Sequence, residues 1–166
     1  MCWMCDHPGA TGQDYLSHLT SLIAKFGWAI QGVERDRLHP PYAYTVGLTA
    51  WGKPELVITG MPEVKAASLL NEVATHIMHA TVPQPGEQVQ MVGGPQIEFI
   101  EVSTPVAHLS VACELYGTTI RALQVVHADD EGHWPWEIGY RGVKGGQPVL
   151  GQRAGSSNPQ RPSDTV

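Results

Sequence analysis

A chain of 166 residues, 42% hydrophobic and only 16% charged, holds enough apolar material to bury a core without disulfide staples. Sixteen acidic residues against ten basic ones give a formal net charge of −6, the wrong sign for a surface that grips nucleic acid or an anionic membrane. There is no twenty-residue apolar run to cross a bilayer, no visible secretory leader, and three cysteines make no disulfide framework, so a cytoplasmic protein is expected.

The first ten residues, MCWMCDHPGA, are too rich in Cys, Gly and Pro to form a regular element. Thr11 and Asp14 then make a variant capping box. The helix they open carries Tyr15, Leu16, Leu19, Leu22, Ile23 and Phe26 on one stripe and stops at Gly27. Residues 28–34, 42–49 and 55–60 read as strands, the last two joined by the turn-forming Trp51-Gly52-Lys53-Pro54 into an antiparallel hairpin. A second helix is expected from Pro62 to about His79, with Ala66, Leu70, Val73 and Ile77 on its apolar face. Strands at 88–92 and 97–103 flank Gly93-Gly94-Pro95. A third helix covers 105–116, and a final strand covers 120–127. Helices and hairpins alternate without a βαβ rhythm. The fold class is therefore α+β, a mixed or antiparallel sheet with about three helices packed on it. Residues 1–150 form one such domain, and 151–166, with almost nothing bulky to bury, read as a disordered tail.

Three segments carry chemistry. Cys2-x-x-Cys5-x-His7 spaces two thiolates to chelate one tetrahedral metal, zinc for preference, with His7 as a third ligand and Cys113, His39 or water as the fourth. A redox-sensitive thiol pair or plain packing of two small side chains fits the same residues. Were the initiator Met removed, Cys2 would also present an amine beside its thiol, as N-terminal nucleophiles do. The second segment, 35–44, combines Arg35, Arg37, His39, Tyr42 and Tyr44 around a diproline that stiffens the backbone. Guanidinium groups beside aromatic rings suit an anionic small molecule, with His39 as acid or base. The plainer alternative is a solvated turn in which Glu34 and Asp36 neutralise the arginines. Third, Trp134-Pro135-Trp136 either caps the core or walls a pocket. Glu72, His76 and His79 share one helix face, but it lies opposite the apolar stripe and points to solvent.

The N-terminal Met-Cys-x-x-Cys-Asp, the stretch His39-Pro40-Pro41-Tyr42-Ala43-Tyr44-Thr45-Val46-Gly47-Leu48, Pro54-Glu55-Leu56-Val57-Ile58-Thr59-Gly60, Ala122-Leu123-Gln124-Val125-Val126, Gly132-His133-Trp134-Pro135-Trp136 and Gln147-Pro148-Val149-Leu150 together resemble the bacterial family catalogued as domain of unknown function 4262, common in actinobacteria. The resemblance runs in order to about Leu150. It implies no activity, cofactor or catalytic residue. His127 departs from the Trp expected in relatives, which argues against an essential ligand there.

The function expected from these residues is binding of an anionic small molecule, and action on it if the chain is an enzyme. Arg35, Arg37, Tyr42 and Tyr44 would contact the ligand beside Trp134 and Trp136, and His39 would move the proton. The alternative is a non-catalytic interaction or regulatory protein, with structural zinc or a thiol pair at Cys2, Cys5 and His7.

Overall fold

The structure is a computed structural model that describes residues 3–144 and 146–155. Its elements follow the apolar patterning closely. Helix α1 (Trp3–Asp6) is a single turn where composition suggested none; the Trp3 ring stacks on His7 at 4.2 Å and on His18 of the next helix at 4.9 Å, which fixes the turn in place. Helix α2 (Gly12–Phe26) starts at the expected box: the Asp14 amide donates to Thr11 Oγ1 at 3.2 Å and the Thr11 amide to Asp14 Oδ2 at 2.7 Å. Asp thus performs the task more often given to Glu.

Strands β1 (Ala29–Val33), β2 (Tyr42–Val46) and β3 (Glu55–Thr59) pair antiparallel, with β3 leading into α3 (Glu63–His79). Strands β4 (Gln88–Gln90) and β5 (Gln96–Glu101) form a hairpin, and β6 (Ala122–His127) enters between β5 and β3. The sheet order is β1-β2-β3-β6-β5-β4, and only β3 and β6 run parallel. The helix expected over 105–116 is broken: a 3-10 turn (Pro105–Ala107) precedes α4 (Ser110–Tyr116). Leu109 leaves helical geometry between them, at φ −111° and ψ 54°, as its side chain enters the core fully buried.

Strand alternation sorts the sheet into two faces. One face holds Ala43, Leu56, Ile58, Ile97, Phe99, Leu123 and Val125 against α3. The other holds Tyr44, Val57, Val102 and Ala122 beneath α4. One carboxylate, Glu55, sits in this interior with no exposure. Thr45 Oγ1 donates to it at 2.6 Å, Thr49 Oγ1 at 2.8 Å, and the amides of Gly47 and Thr49 at 3.0 Å, which ties the β2–β3 connection to the strand it enters. Among the described residues no helix is long and apolar enough to cross a membrane.

After β6 the chain loops back and crosses the α4 side of the sheet as a strap, residues 146–153. It starts against Gly60, where a Cβ would lie 2.5 Å from the Gly146 carbonyl oxygen. It passes Gln124, whose Nε2 donates to the Pro148 carbonyl at 2.7 Å and whose Oε1 accepts the Leu150 amide at 2.6 Å. It then reaches β5, where Arg153 donates to both oxygens of the buried Glu98, at 3.0 and 3.1 Å, and lays its guanidinium over Trp136. Residues 151–155, placed in the tail by composition, thus include an arginine that answers a buried carboxylate. Residues 156–166 lie outside the described residues.

Removing Arg153 leaves the Glu98 carboxylate buried without its cation. Arg153→Ala is expected to lower the unfolding free energy by about 2 kcal/mol in urea titrations, and adding Glu98→Gln should recover part of that loss. A single variant indistinguishable from the parent would show that the strap end does not hold Glu98.

Candidate functional site

The 35–44 segment folds on itself instead of lining a cavity. Asp36 Oδ1 accepts the amides of Leu38 and His39 at 2.7 Å, and His39 Nδ1 lies 3.0 Å from Asp36 Oδ2. The His39 side chain, followed by those two amides, holds the Asp36 carboxyl down at about 2. Arg35, Arg37 and His39 are exposed, which is the solvated-turn alternative. Tyr44 is 1% exposed, with its hydroxyl accepting the Val111 amide at 3.3 Å, and burial pushes it up to about 12. The Tyr42 hydroxyl donates to the His108 carbonyl at 3.2 Å. Both tyrosines dock α4 on the sheet.

Trp134 and Trp136 stack at 5.3 Å and pack with Ile100, Val126 and Ala128, covering the end of the core, and Arg153 closes over Trp136. The structure therefore does not bring Arg37 and His39 together with the tryptophans. Of the metal set, Cys2 and the Cys5 side chain lie outside the described residues, while His7 Nδ1 is 2.8 Å from the Trp3 carbonyl. Among the described residues no group of three or more His, Cys, Asp or Glu side chains is placed to hold a metal ion. Glu72, His76 and His79 are exposed, as their helix face required.

The open space lies elsewhere. A cleft of about 840 Å³ sits at the carboxyl ends of β3 and β6, between the first turns of α3 (Pro62, Lys65, Leu69), the β4–β5 hairpin (Met91) and the loop at 140–143. That is where parallel strands diverge and leave a crevice. His127, the last residue of β6, faces Ile97 in register and lines this cleft. It is 9% exposed, and its Nε2 is buried with no hydrogen-bond partner. Burial pushes its imidazole below the ordinary 6.5; the Ala128 and Thr59 carbonyls and the Asp130 charge favour the charged ring and oppose this. Neither carbonyl gives Nε2 a hydrogen bond.

The backbone of His127 is held by a side chain. Gln147 Oε1 accepts the His127 amide at 2.9 Å and its Nε2 donates to the His127 carbonyl at 2.8 Å, completing the strand end where β3 has turned away. The same Nε2 donates to the Tyr140 hydroxyl at 2.7 Å, which ties the cleft's outer loop to its floor. Asp129 stiffens that loop further. Burial works against its charge, but the amides of Arg141, His133 and Glu131 together hold its carboxyl below the usual carboxylate range. His127 was set aside in the sequence as a departure from relatives. The available signal was an imidazole ending a strand apolar but for Gln124, Ala122-Leu123-Gln124-Val125-Val126-His127.

The family model described as Domain of unknown function (DUF4262) matches residues 22–141. No curated protein and no solved structure matches the chain.

An unfolded chain takes up the His127 proton at the ordinary value of 6.5, whereas the folded protein resists it to lower pH. Unfolding free energy is therefore expected to fall as pH drops below about 6.5, more steeply in the parent than in His127→Gln. Equal pH slopes for the two proteins, in urea titrations from neutral to mildly acidic buffer, would contradict a buried neutral imidazole.

Proposed function

The chain belongs to the DUF4262 family, whose description carries no activity, and from its own residues we propose that it is a small-molecule-binding domain whose ligand enters the cleft beside His127. The cleft itself, about 840 Å³ between the first turns of α3, the β4–β5 hairpin and the loop at 140–143, is the observation that supports this reading. Position supports it too, because crevices beyond the carboxyl ends of parallel strands are where ligands of open sheets bind. The cleft's volume falls within the usual range for small-molecule sites. The ligand site thus moves from the exposed Arg35, Arg37 and His39 turn to the other side of β3.

Screening a neutral fragment set by methyl and amide NMR tests this reading. Hits are expected to shift Met61, Leu69, Met91 and the His127 ring together. Ser68→Trp, on the exposed side of α3 that lines the cleft, should abolish those shifts without unfolding the protein. Hits that cluster on Arg37 and Tyr42 and ignore Ser68→Trp would overturn the cleft and restore the 35–44 segment.

A further inference from the structure

Strand β6 ends on a titratable ring at the wall of the cleft. Leu123, Val125 and His127 alternate along the strand, so the imidazole lies on the α3 side of the sheet, where it lines the cleft. Its register partner Ile97 on β5 is fully buried, and His127 itself is 9% exposed. Nδ1 lies 3.3 Å from the Ala128 carbonyl, which places the neutral ring's proton there and leaves Nε2 to take up a second one. Nε2 is sealed and has no hydrogen-bond partner. Water cannot deliver a proton to it while the ring keeps this position, and a charged ring there would bury an N–H without an acceptor.

Lys65 and Glu72 line the cleft from α3, Asp129 and Asp130 from the turn after β6, and Tyr140 and Arg141 from the loop opposite. On β5 the facing residue is the apolar Ile97. At the end of β3 the Thr59 carbonyl favours a charged ring without bonding Nε2. Asp129 already accepts three backbone amides. Lys65 and Arg141 oppose a third cation in the cleft, and Arg141 is answered by Glu131 at 3.0 Å. Asp130 is exposed, stands three residues beyond the ring and favours its charged form. Burial opposes that charge more strongly, so the ring gains it by leaving. The backbone need not follow. Gln147 holds the amide and the carbonyl of His127, at 2.9 and 2.8 Å, which leaves rotation about the side-chain bonds as the free movement.

From this geometry we infer that His127 is an acid-operated gate: neutral, it stays sealed in the cleft wall; protonated, its ring turns into the cleft toward Asp130 and takes up space that a ligand would fill. The proton comes from bulk water once the ring has turned. The consequence for a ligand rests on the binding reading of this cleft, whereas the movement of the ring does not.

The ring signals of the full chain, followed by NMR from neutral to mildly acidic buffer and assigned with His127→Gln, test the movement. The ring is expected to titrate below the ordinary 6.5 while the protein stays folded, exchanging its NOE contacts with the Ile97 methyls for contacts with Asp130. Asp130→Asn, on an exposed side chain, should lower the midpoint by about half a pH unit. Neutral fragments that enter the cleft should bind about tenfold more weakly one pH unit below the midpoint, a decline that His127→Gln removes. A ring that gains its charge while keeping the Ile97 contacts, bonded in place to the Thr59 carbonyl, would overturn the inference. So would a ring that stays neutral until the protein unfolds, or a midpoint unmoved by Asp130→Asn. Fragments that bind equally on both sides of the midpoint would overturn the gate and leave the binding reading standing. If no fragment enters at any pH, the binding reading fails, and the NOE contacts still decide the movement.

Discussion

Two glutamine amides on the α4 side of the sheet carry the constraint on which the rest depends. Gln124 is fully buried in the middle of β6, and Gln147 is 6% exposed on the strap. Between them they bond Thr59 on β3, the Pro148 carbonyl and Leu150 amide of the strap, both backbone groups of His127, and Tyr140. Each of these groups would cost about 1–3 kcal/mol if left buried and unpaired. The amides let β3 and β6 part at their carboxyl ends without stranding the backbone in the gap. That parting makes the cleft. Gly60 completes the arrangement, since at φ 66° and with the Gly146 carbonyl against it, no side chain fits.

The segment outlines were legible because they rest on local rules. The Thr11–Asp14 cap, the α3 stripe from Ala66 to Ile77 and the alternation along β6 each announce themselves within a few residues. The parallel pairing of β3 and β6 was not legible, since it joins residues more than sixty positions apart with the β4–β5 hairpin and α4 in between. Nor was the docking of Arg153. A lone arginine in a Gly- and Ser-rich stretch looks solvated until Glu98, on β5, turns out to be buried beneath it.

The residues expected at the site lie apart from the cleft for a related reason. Arg35, Arg37 and His39 are chemically rich but exposed, and Asp36 ties their turn together from within. Tyr44 was ranked as a ligand contact because of its phenol, yet its place on the inward side of β2 commits it to the core. His127 carries the opposite lesson. One polar ring after five strand residues gives little signal by itself, and it becomes informative only once tertiary structure buries it without a partner. Charge follows the same logic. The net −6 of the chain argues against polyanionic partners, while Lys65 and Arg141 line the cleft locally.

If the strap amides build the cleft, loosening them should be felt first at its floor. Amide hydrogen exchange on Gln147→Leu measures this directly. The His127 and Leu150 amides are expected to lose protection together, with fragment binding in the cleft lost alongside, while Leu56 and Val57 at the sheet centre keep theirs. A His127 amide that stays as protected in Gln147→Leu as in the parent would contradict the account.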